Sequence, residues 1–279
     1  MTDLTPSGSA PSQEQRRKPR SSKVIVVLPT YNEEQNLGAL LERIDDALAE
    51  EHLRYEVIVV DDGSTDGTFD VAERYRGPVP LSIYRHNVNQ GLGATTRDGL
   101  YIASRASEDN DIVITMDADE THTPGLILRM IRMIREGHDV VIASRYQPGA
   151  RVYGLTLFRR IVSYWASLLV RILFPTSGVR DFTCGYRAYR AGILRQAIAT
   201  YGEKFVEAEG FQCMLDILLK LRELHVVFGE VPLILRYDLK RGKSKIQIGK
   251  TMLQSLALLA RRRIEAWQRS LATSHVQRK

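Results

Sequence analysis

The chain has 279 residues, of which 44% are hydrophobic and 26% charged, as in a globular protein that buries a sizeable core. The 39 basic and 33 acidic residues give a formal net charge of +6, which favours an anionic partner. This composition excludes a fibrous or wholly disordered chain, and no apolar stretch approaches the roughly 20 residues that a transmembrane helix requires.

Residues 1–22 are rich in Ser, Pro, Gln and charge and contain no apolar run. This composition is typical of a disordered leader and not of a signal peptide. Neither cysteine, Cys184 or Cys213, stands in a metal-type or redox-type pair, so we expect buried thiols in a reducing compartment. Together these features predict a cytoplasmic protein.

Apolar runs and helical segments alternate from residue 24 onward. A first strand is predicted at 24–28, followed by a turn in which Asn32 caps a helix that extends to Ala49. The later elements are predicted at strand 57–60, helix 68–74, strand 81–85, helix 94–104, strand 112–116, helix 124–136 and strand 140–144. This alternation predicts an α/β fold with a mainly parallel sheet flanked by helices, whose ligands lie beyond the carboxyl ends of the strands.

Two carboxylates one residue apart, Asp117 and Asp119, close the apolar run 112–116. Oxygen ligands suit Mg²⁺ or Mn²⁺, and proteins usually hold Mg²⁺ with one or two carboxylates plus the phosphates of a substrate. The alternative is a plain acidic turn, because Asp is common in turns. A second acidic strand end, 60–68 (VDDGSTDGT), favours the metal and diphosphate interpretation.

Five motifs recur in an ordered series along the chain. They are 29–33 (PTYNE), 60–68 (VDDGSTDGT), 89–93 (NQGLG), 117–119 (DAD) and 144–146 (SRY). In order and spacing they resemble the family 2 glycosyltransferases, and above all the polyprenol-phosphate (dolichyl-phosphate) mannosyltransferases. The segments 181–189 (DFTCGYRAY) and 242–245 (GKSK) extend the resemblance. It implies a GT-A, Rossmann-like domain over 23–250, followed by a C-terminal amphipathic helix and basic tail over 251–279.

The resemblance also implies roles for individual residues. The nucleotide-sugar would contact Pro29, Tyr31, Glu33, Val60, Asp62, Asp117, Ala118, Asp119, Arg145, Arg241 and Lys245. Asp117 and Asp119 would hold Mg²⁺ or Mn²⁺, and the catalytic residues would be Asp119, Arg145 and Lys245. Arg159 and Arg160 are the candidates for the acceptor phosphate.

The chain departs from the family pattern at two positions. Thr121 stands where the family often has a Gln that helps to bind metal, and a hydroxyl is a weaker ligand. Leu239 stands where the late loop usually has Arg, with Lys240 and Arg241 beside it. Metal affinity is therefore open, and so is the choice between the two neighbouring cations.

The predicted activity is inverting transfer of a hexose from a nucleotide-diphosphate sugar, with GDP-mannose favoured by the resemblance, onto a polyprenyl phosphate. A lipid phosphate is already ionised, whereas a hydroxyl acceptor needs a general base, for which Asp216 is the candidate. The alternatives are thus transfer to a saccharide or other hydroxyl, and a nucleotide-sugar-binding protein without activity. Nucleic-acid binding is disfavoured, because the basic residues lack interleaved aromatics.

Two amphipathic segments, 155–174 and 246–267, combine apolar and basic residues. Such helices can lie in a membrane interface, although an apolar stripe more often packs in a core. In the first case Arg261, Arg262 and Arg263 would face an anionic bilayer, and in the second they form a solvated helix face. We therefore expect that the protein can be peripheral on the cytoplasmic membrane face.

Overall fold

The computed structural model of the protein describes residues 22–239, Gly249 and residues 252–264. The predicted leader up to residue 21, the candidates Lys240, Arg241 and Lys245, and the tail from residue 265 lie outside the described residues. Among the helices that are described, none combines the length and apolarity needed to cross a bilayer.

A seven-stranded sheet forms the centre of the fold. Its strands are β1 (Val24–Thr30), β2 (Tyr55–Asp61), β3 (Leu81–Arg85), β4 (Ile112–Thr115), β5 (Val140–Ser144), β7 (Arg187–Arg190) and β8 (Phe228–Pro232). They lie in the order β3-β2-β1-β4-β7-β5-β8 and are parallel except for β7, which runs antiparallel to both β4 and β5. A separate parallel pair joins β6 (Arg151–Tyr153) to β9 (Ile234–Arg236).

The helices follow the strands in alternation through the first half of the chain. They are α1 (Leu37–Ala49), α2 (Thr68–Tyr75), α3 (Leu92–Arg105), α4 (Leu126–Arg135), α5 (Leu157–Leu173), α6 (Ala191–Tyr201) and α7 (Cys213–Glu223). A short 3-10 helix spans Gly202–Val206, and residues 252–264 form a helix that we call the C-terminal helix. The predicted α/β fold with a mainly parallel sheet is confirmed.

The core lies on both faces of the sheet. Every residue from Val24 to Leu28 has no exposed surface, because β1 is central and helices cover it on each side. The thiols of Cys184 and Cys213 are also buried, as predicted, and burial raises the pKa of each to about 12. Neither thiol is therefore a nucleophile at neutral pH.

The structure differs from the sequence prediction at Asn32 and in the strands that follow residue 144. The first helix begins at Leu37 and not after Asn32, whose φ is 50° and whose Oδ1 accepts the Thr65 N–H at 2.8 Å. Asn32 therefore braces the neighbouring loop instead of capping a helix. Strand β7 was not predicted, because its two arginines interrupt the apolar pattern of a buried strand. Arg187 is nevertheless fully buried, and its guanidinium donates to three main-chain carbonyls.

Candidate functional site

An open cavity of about 580 Å³ lies beyond the carboxyl ends of β1, β2 and β4. Its lining includes predicted nucleotide-sugar residues from three separate motifs, namely Pro29, Tyr31, Glu33, Asp62, Asp117, Ala118 and Asp119. They meet because parallel strands end at one edge of the sheet, which is where open α/β sheets bind ligands. The predicted convergence of these strand ends is therefore what the structure contains.

Asp117 and Asp119 stand on the wall of this cavity. Asp119 is 9% exposed, and its Oδ1 accepts the Thr121 N–H at 3.1 Å and the Thr121 hydroxyl at 2.6 Å. The main-chain N–H of Asp117 donates to Nδ1 of His122, whose ring stacks on Tyr186 with centroids 5.0 Å apart. Thr121 thus orients the carboxylate of Asp119, and His122 fixes the backbone of Asp117.

The carboxylate pair fits a divalent ion that shares its coordination with a substrate. Within the described ranges, no group of three or more His, Cys, Asp or Glu side chains could hold a metal by itself. Mg²⁺ and related ions are commonly held by one or two carboxylates, with phosphates and water completing the shell. Asp117 and Asp119, side by side on one cavity, match that donor set.

The loops around the cavity are fastened to one another by side chains. Asp62 accepts main-chain N–H groups from Gln90 at 2.9 Å and Gly91 at 2.8 Å, which holds the loop before α3. The Glu33 N–H donates to the hydroxyl of Thr68 at 2.8 Å, which joins the turn after β1 to the start of α2. These contacts bring the first three sequence motifs into one continuous wall.

Val60 is a predicted nucleotide-sugar contact whose side chain lies outside the cavity, and that contact stays a prediction. Its side chain is fully buried in β2, and its Cγ2 lies 3.3 Å from the point where a Cβ on Gly99 of α3 would stand. It is absent from the cavity lining. Alternate residues of a strand point to opposite faces, and Val60 points to the helix layer, so its side chain packs in the core.

Arg145 follows β5 and is engaged by a buried partner. Its Nε and Nη2 donate to the two oxygens of Asp181 at 2.8 and 2.7 Å, and Nη2 also donates to the Thr183 hydroxyl at 2.6 Å. Burial alone would raise the pKa of Asp181, but the attraction to and hydrogen bonds from Arg145 hold it below its usual value. Arg145 does not line the cavity described above, and its phosphate contact stays a prediction.

Comparison with known proteins places this geometry in a family. The model of glycosyl transferase family 2 matches residues 25–197. The chain belongs to glycosyl transferase family 2. It is 34% identical over 235 residues to a dolichol-phosphate mannosyltransferase of Pyrococcus furiosus, covering 84% of this chain and 62% of that protein. It is 32% identical over 231 residues to an undecaprenyl-phosphate mannosyltransferase of Micrococcus luteus, covering 81% and 88%.

The fold also matches a solved structure. The chain superposes with a TM-score of 0.62 and 21% identity on a glucosyl-3-phosphoglycerate synthase from Mycobacterium tuberculosis, covering 86% of this chain and 80% of that one. That synthase was crystallised with Mn²⁺, UDP and glucosyl-3-phosphoglycerate. The GT-A fold and the resemblance to polyprenol-phosphate mannosyltransferases are thus both confirmed. The chain spans about 62% of the length of the Pyrococcus relative.

The predicted acceptor-phosphate residues of this family 2 chain lie at the start of α5. Arg159 is half-buried and Arg160 is exposed, and both belong to the first turn of the helix that Thr156 caps. The hydroxyls of Tyr146 and Ser163 lie 2.7 Å apart and join the segment after β5 to the same helix. The two arginines are thereby carried on a helix that is hydrogen-bonded to the neighbour of Arg145.

Described residues on either side of the predicted late loop line the cavity. Tyr237, shortly before the predicted phosphate-binding residues, and Gln254, shortly after them, both line it. The N–H of Arg236 donates to the Thr121 carbonyl at 3.0 Å, which fastens β9 beside the carboxylate pair. The roles of Arg241 and Lys245 stay predictions.

Asp216 is not the accessible base that a hydroxyl acceptor would need. It is fully buried, and its oxygens lie 2.8 Å from Lys220 Nζ and 2.6 Å from Arg262 Nη2. Glu207 completes the group by pairing with Arg262 at 3.0 Å and Arg261 at 3.1 Å. We call these five residues the charge cluster, and it holds the C-terminal helix against α7.

The charge cluster gives Arg261 and Arg262 partners within the protein, and their contact with an anionic bilayer stays a prediction. Glu207 pairs with both arginines and Asp216 pairs with Arg262, while the Arg261 side chain stays 51% exposed. Arg263, the third of the run, has its Nη1 3.4 Å from the Leu173 carbonyl at the end of α5. Reversing these charges would therefore disturb the packing of the helix as well as any surface attraction.

We expect Arg262→Gln to lower the free energy of unfolding by about 1.5–3 kcal/mol, because Asp216 loses charge-assisted hydrogen bonds in a buried place. Arg261→Gln is the matched control, since its side chain is 51% exposed against 13% for Arg262. Urea unfolding measures the difference. Equal midpoints for the two variants would contradict a structural role for the charge cluster.

Sequence reasoning missed several lining residues on the segment 209–212. Gln212 is the clearest, because it is 7% exposed, lines the cavity, and its Oε1 has no hydrogen-bond partner among the described residues. The Gly210-Phe211 pair before α7 is the local signal that could have marked this segment. A single Gln belongs to no periodic pattern or motif, so only the position of Gln212 on the cavity wall identifies it as a candidate site residue.

Proposed function

We propose that this protein is an inverting glycosyltransferase that moves a hexose, with GDP-mannose as the favoured donor, onto a polyprenyl phosphate. The observation that carries the proposal is the single cavity shared by Asp117, Asp119 and the predicted nucleotide residues of β1 and β2. The mannosyltransferase names of relatives at 34% and 32% identity support the choice of donor sugar and acceptor.

On the donor side, Asp117 and Asp119 would hold Mg²⁺ or Mn²⁺, which neutralises the departing nucleoside diphosphate when bound. Asp62 positions the loop before α3, and Arg241 and Lys245 are proposed to add positive charge at the diphosphate. Catalysis then rests on orientation and on charge stabilisation of the leaving group. The bond from the anomeric carbon to the diphosphate breaks with its electron pair leaving on the diphosphate oxygen.

On the acceptor side, a phosphate oxygen attacks the anomeric carbon from the opposite face and inverts its configuration. The nucleophile is already an anion, so no side chain has to remove a proton. Arg145, Arg159 and Arg160 are the proposed cations for this phosphate. A hydroxyl acceptor is less well supported, because its candidate base Asp216 is buried and paired with two cations.

An exposed apolar face on α5 supports a lipid acceptor. Large apolar side chains recur along this helix at spacings of three or four residues and remain exposed: Leu157 70%, Ile161 48%, Tyr164 48%, Trp165 62%, Leu169 40% and Ile172 68%. On the C-terminal helix, Leu253 is 70% exposed and Ile264 55%. Contiguous patches of this kind are typical of membrane or protein contacts, and we propose a peripheral membrane position for this one.

The donor and acceptor are tested with purified protein in the presence of Mn²⁺ or Mg²⁺. A thermal-shift panel of nucleoside diphosphates identifies the base, because a ligand at 100 times its dissociation constant stabilises by ~2.7 kcal/mol. Transfer is then measured from the matching nucleotide-sugar to a short-chain polyprenyl phosphate and to a free saccharide. Efficient transfer to the saccharide with none to the lipid phosphate would refute the proposed acceptor.

The membrane position is tested by flotation with vesicles that contain anionic lipid. We expect Trp165→Glu together with Ile172→Glu to lower vesicle binding by about tenfold, because buried apolar area drives interfacial binding. Tyr84→Glu is the matched control, since Tyr84 is 43% exposed and lies on β3, the edge strand at the other end of the sheet from β5 and β8. Equal vesicle binding by the wild type, the double variant and the control would refute α5 as the membrane contact surface.

A further inference from the structure

His86 lies between two carboxylates beside the cavity. The residue follows β3 and its side chain is 11% exposed. Its Nδ1 is 2.7 Å from an oxygen of Asp62, and its Nε2 is 3.1 Å from an oxygen of Asp98 on α3. An ionised carboxylate only accepts hydrogen bonds, so both ring nitrogens must donate. The doubly protonated imidazolium is the form of the ring with two N–H groups.

Asp62 transmits the position of the ring to the cavity wall. The Asp62 oxygen that contacts His86 also accepts the Gln90 N–H at 2.9 Å, and its other oxygen accepts the Gly91 N–H at 2.8 Å. Gly91 has φ of 90°, a left-handed conformation that suits glycine, and directly precedes α3. Gln90 and Gly91 both line the cavity, so moving the Asp62 carboxylate moves its wall.

The far end of the same loop is fixed independently. The Gly93 N–H donates to the Glu209 carbonyl at 2.7 Å, and a Cβ at Gly93 would collide with the carbonyl of Ala208. Glu209 also lines the cavity. The loop is therefore anchored at 93 by backbone packing and at 90–91 by Asp62, and the second anchor depends on the ring of His86.

We propose that His86 is a positioning residue, which clamps the loop 89–93 onto the nucleotide cavity when its ring is protonated and releases it when the ring is neutral. A neutral ring keeps one N–H, so one of the two carboxylates then faces a ring lone pair and is repelled. The inference rests on the proposed function, in which this cavity takes a nucleoside diphosphate. Nucleotide binding is tight with the ring charged and weakens when a rise in pH removes a proton from the ring.

The other charged groups around the ring have partners of their own. Nε of Arg97 donates to Asp98 at 2.8 Å, and Nε of Arg85 lies 3.1 Å from Asp61 at the end of β2. Arginine stays protonated and a paired aspartate stays ionised near neutral pH, whereas histidine is the side-chain type that ordinarily changes charge between about pH 5 and 8.

The experiment measures the affinity for GDP and for UDP, each with Mn²⁺, by calorimetry across pH. For the wild type we expect the dissociation constant of the better ligand to rise at least about fivefold between about pH 6 and about pH 8.5, as the ring loses a proton. His86→Gln should bind weakly at every pH, without that rise. His52→Gln, at an exposed histidine, is the control and should keep the wild-type profile.

Asp98→Asn is the decisive variant. Its amide can donate to Nε2, so a neutral ring can keep its Nδ1–H for Asp62. We expect binding as tight as the wild type at low pH, and no weakening as pH rises. A wild-type pH profile in either Asp98→Asn or His86→Gln would overturn the inference.

A second readout needs no ligand. In NMR spectra of the free protein, the Gln90 and Gly91 amide signals should shift with the same midpoint as the His86 ring, and should lose that shift in His86→Gln. If GDP and UDP fail to bind but these amides still follow His86, the proposed function fails and the clamp stands. If a nucleotide binds and the amides ignore His86, the clamp fails and the function stands.

Discussion

Asp119→Asn is expected to lower hexose transfer by about 10²–10³-fold or more, the loss typical of removing a preorganised charge-stabilising group from an active site. The carboxylate lies on the cavity wall and is oriented by the N–H and hydroxyl of Thr121. An amide keeps the shape but loses the charge that is proposed to hold a divalent ion, so Mn²⁺-dependent binding of nucleoside diphosphate should weaken as well. Steady-state transfer and calorimetry with Mn²⁺ measure the two effects.

Asp70→Asn serves as the matched control for this change. Asp70 is an exposed carboxylate in the first turn of α2 and does not line the cavity. Its substitution should leave transfer and nucleotide binding unchanged. Near wild-type turnover of Asp119→Asn at limiting Mn²⁺ would contradict the metal role, provided that its unfolding midpoint equals that of the wild type.

Asp181→Asn is expected to lower the free energy of unfolding by about 3–5 kcal/mol, the usual cost of removing one partner from a buried ion pair. Asp181 has no exposed surface and accepts Nε, Nη2 and the main-chain N–H of Arg145 at 2.8, 2.7 and 3.0 Å. It also accepts the N–H groups of Thr183 and Cys184. The substitution leaves the Arg145 guanidinium without its counter-charge, and denaturant unfolding measures the loss.

The exposed pair of Arg236 with Asp238 provides the comparison. It has similar two-point geometry at 2.9 and 2.8 Å, but its side chains are 39% and 41% exposed. Because solvent screens such pairs, Asp238→Asn should barely move the unfolding midpoint. Similar losses for both variants would show that burial does not set the strength of the Arg145 pair.

The Arg145 pair also predicts a direction for the pH dependence. The pKa of Asp181 is below its ordinary value, since Arg145 outweighs the effect of burial. A carboxyl whose pKa falls on folding contributes stability above its unfolded-state pKa of about 3.9, and that contribution disappears as pH drops through the folded-state pKa. The wild type should therefore lose more stability than Asp181→Asn on acidification from neutral pH to about pH 3.

The local sequence patterns of this chain were sufficient to predict the fold class and many of the residues that line the cavity. Apolar runs that end in Asp62 and in Asp117 and Asp119 imply parallel strands whose carboxyl ends share one edge, and all three carboxylates line the same cavity. This inference succeeds because strand direction and strand ends follow from residues that are neighbours in the sequence.

The identities of the ion-pair partners came only from the tertiary structure. Arg145 meets Asp181 across 36 positions, and Asp216 meets Arg262 across 46, so neither pairing follows from local spacing. The same holds for Val60, whose side chain packs toward α3, while Asp62 two residues later lines the cavity. Residue types and spacing determined which groups could bind phosphate or metal. Packing between distant segments decided which of them are buried against a counter-charge and which face the ligand.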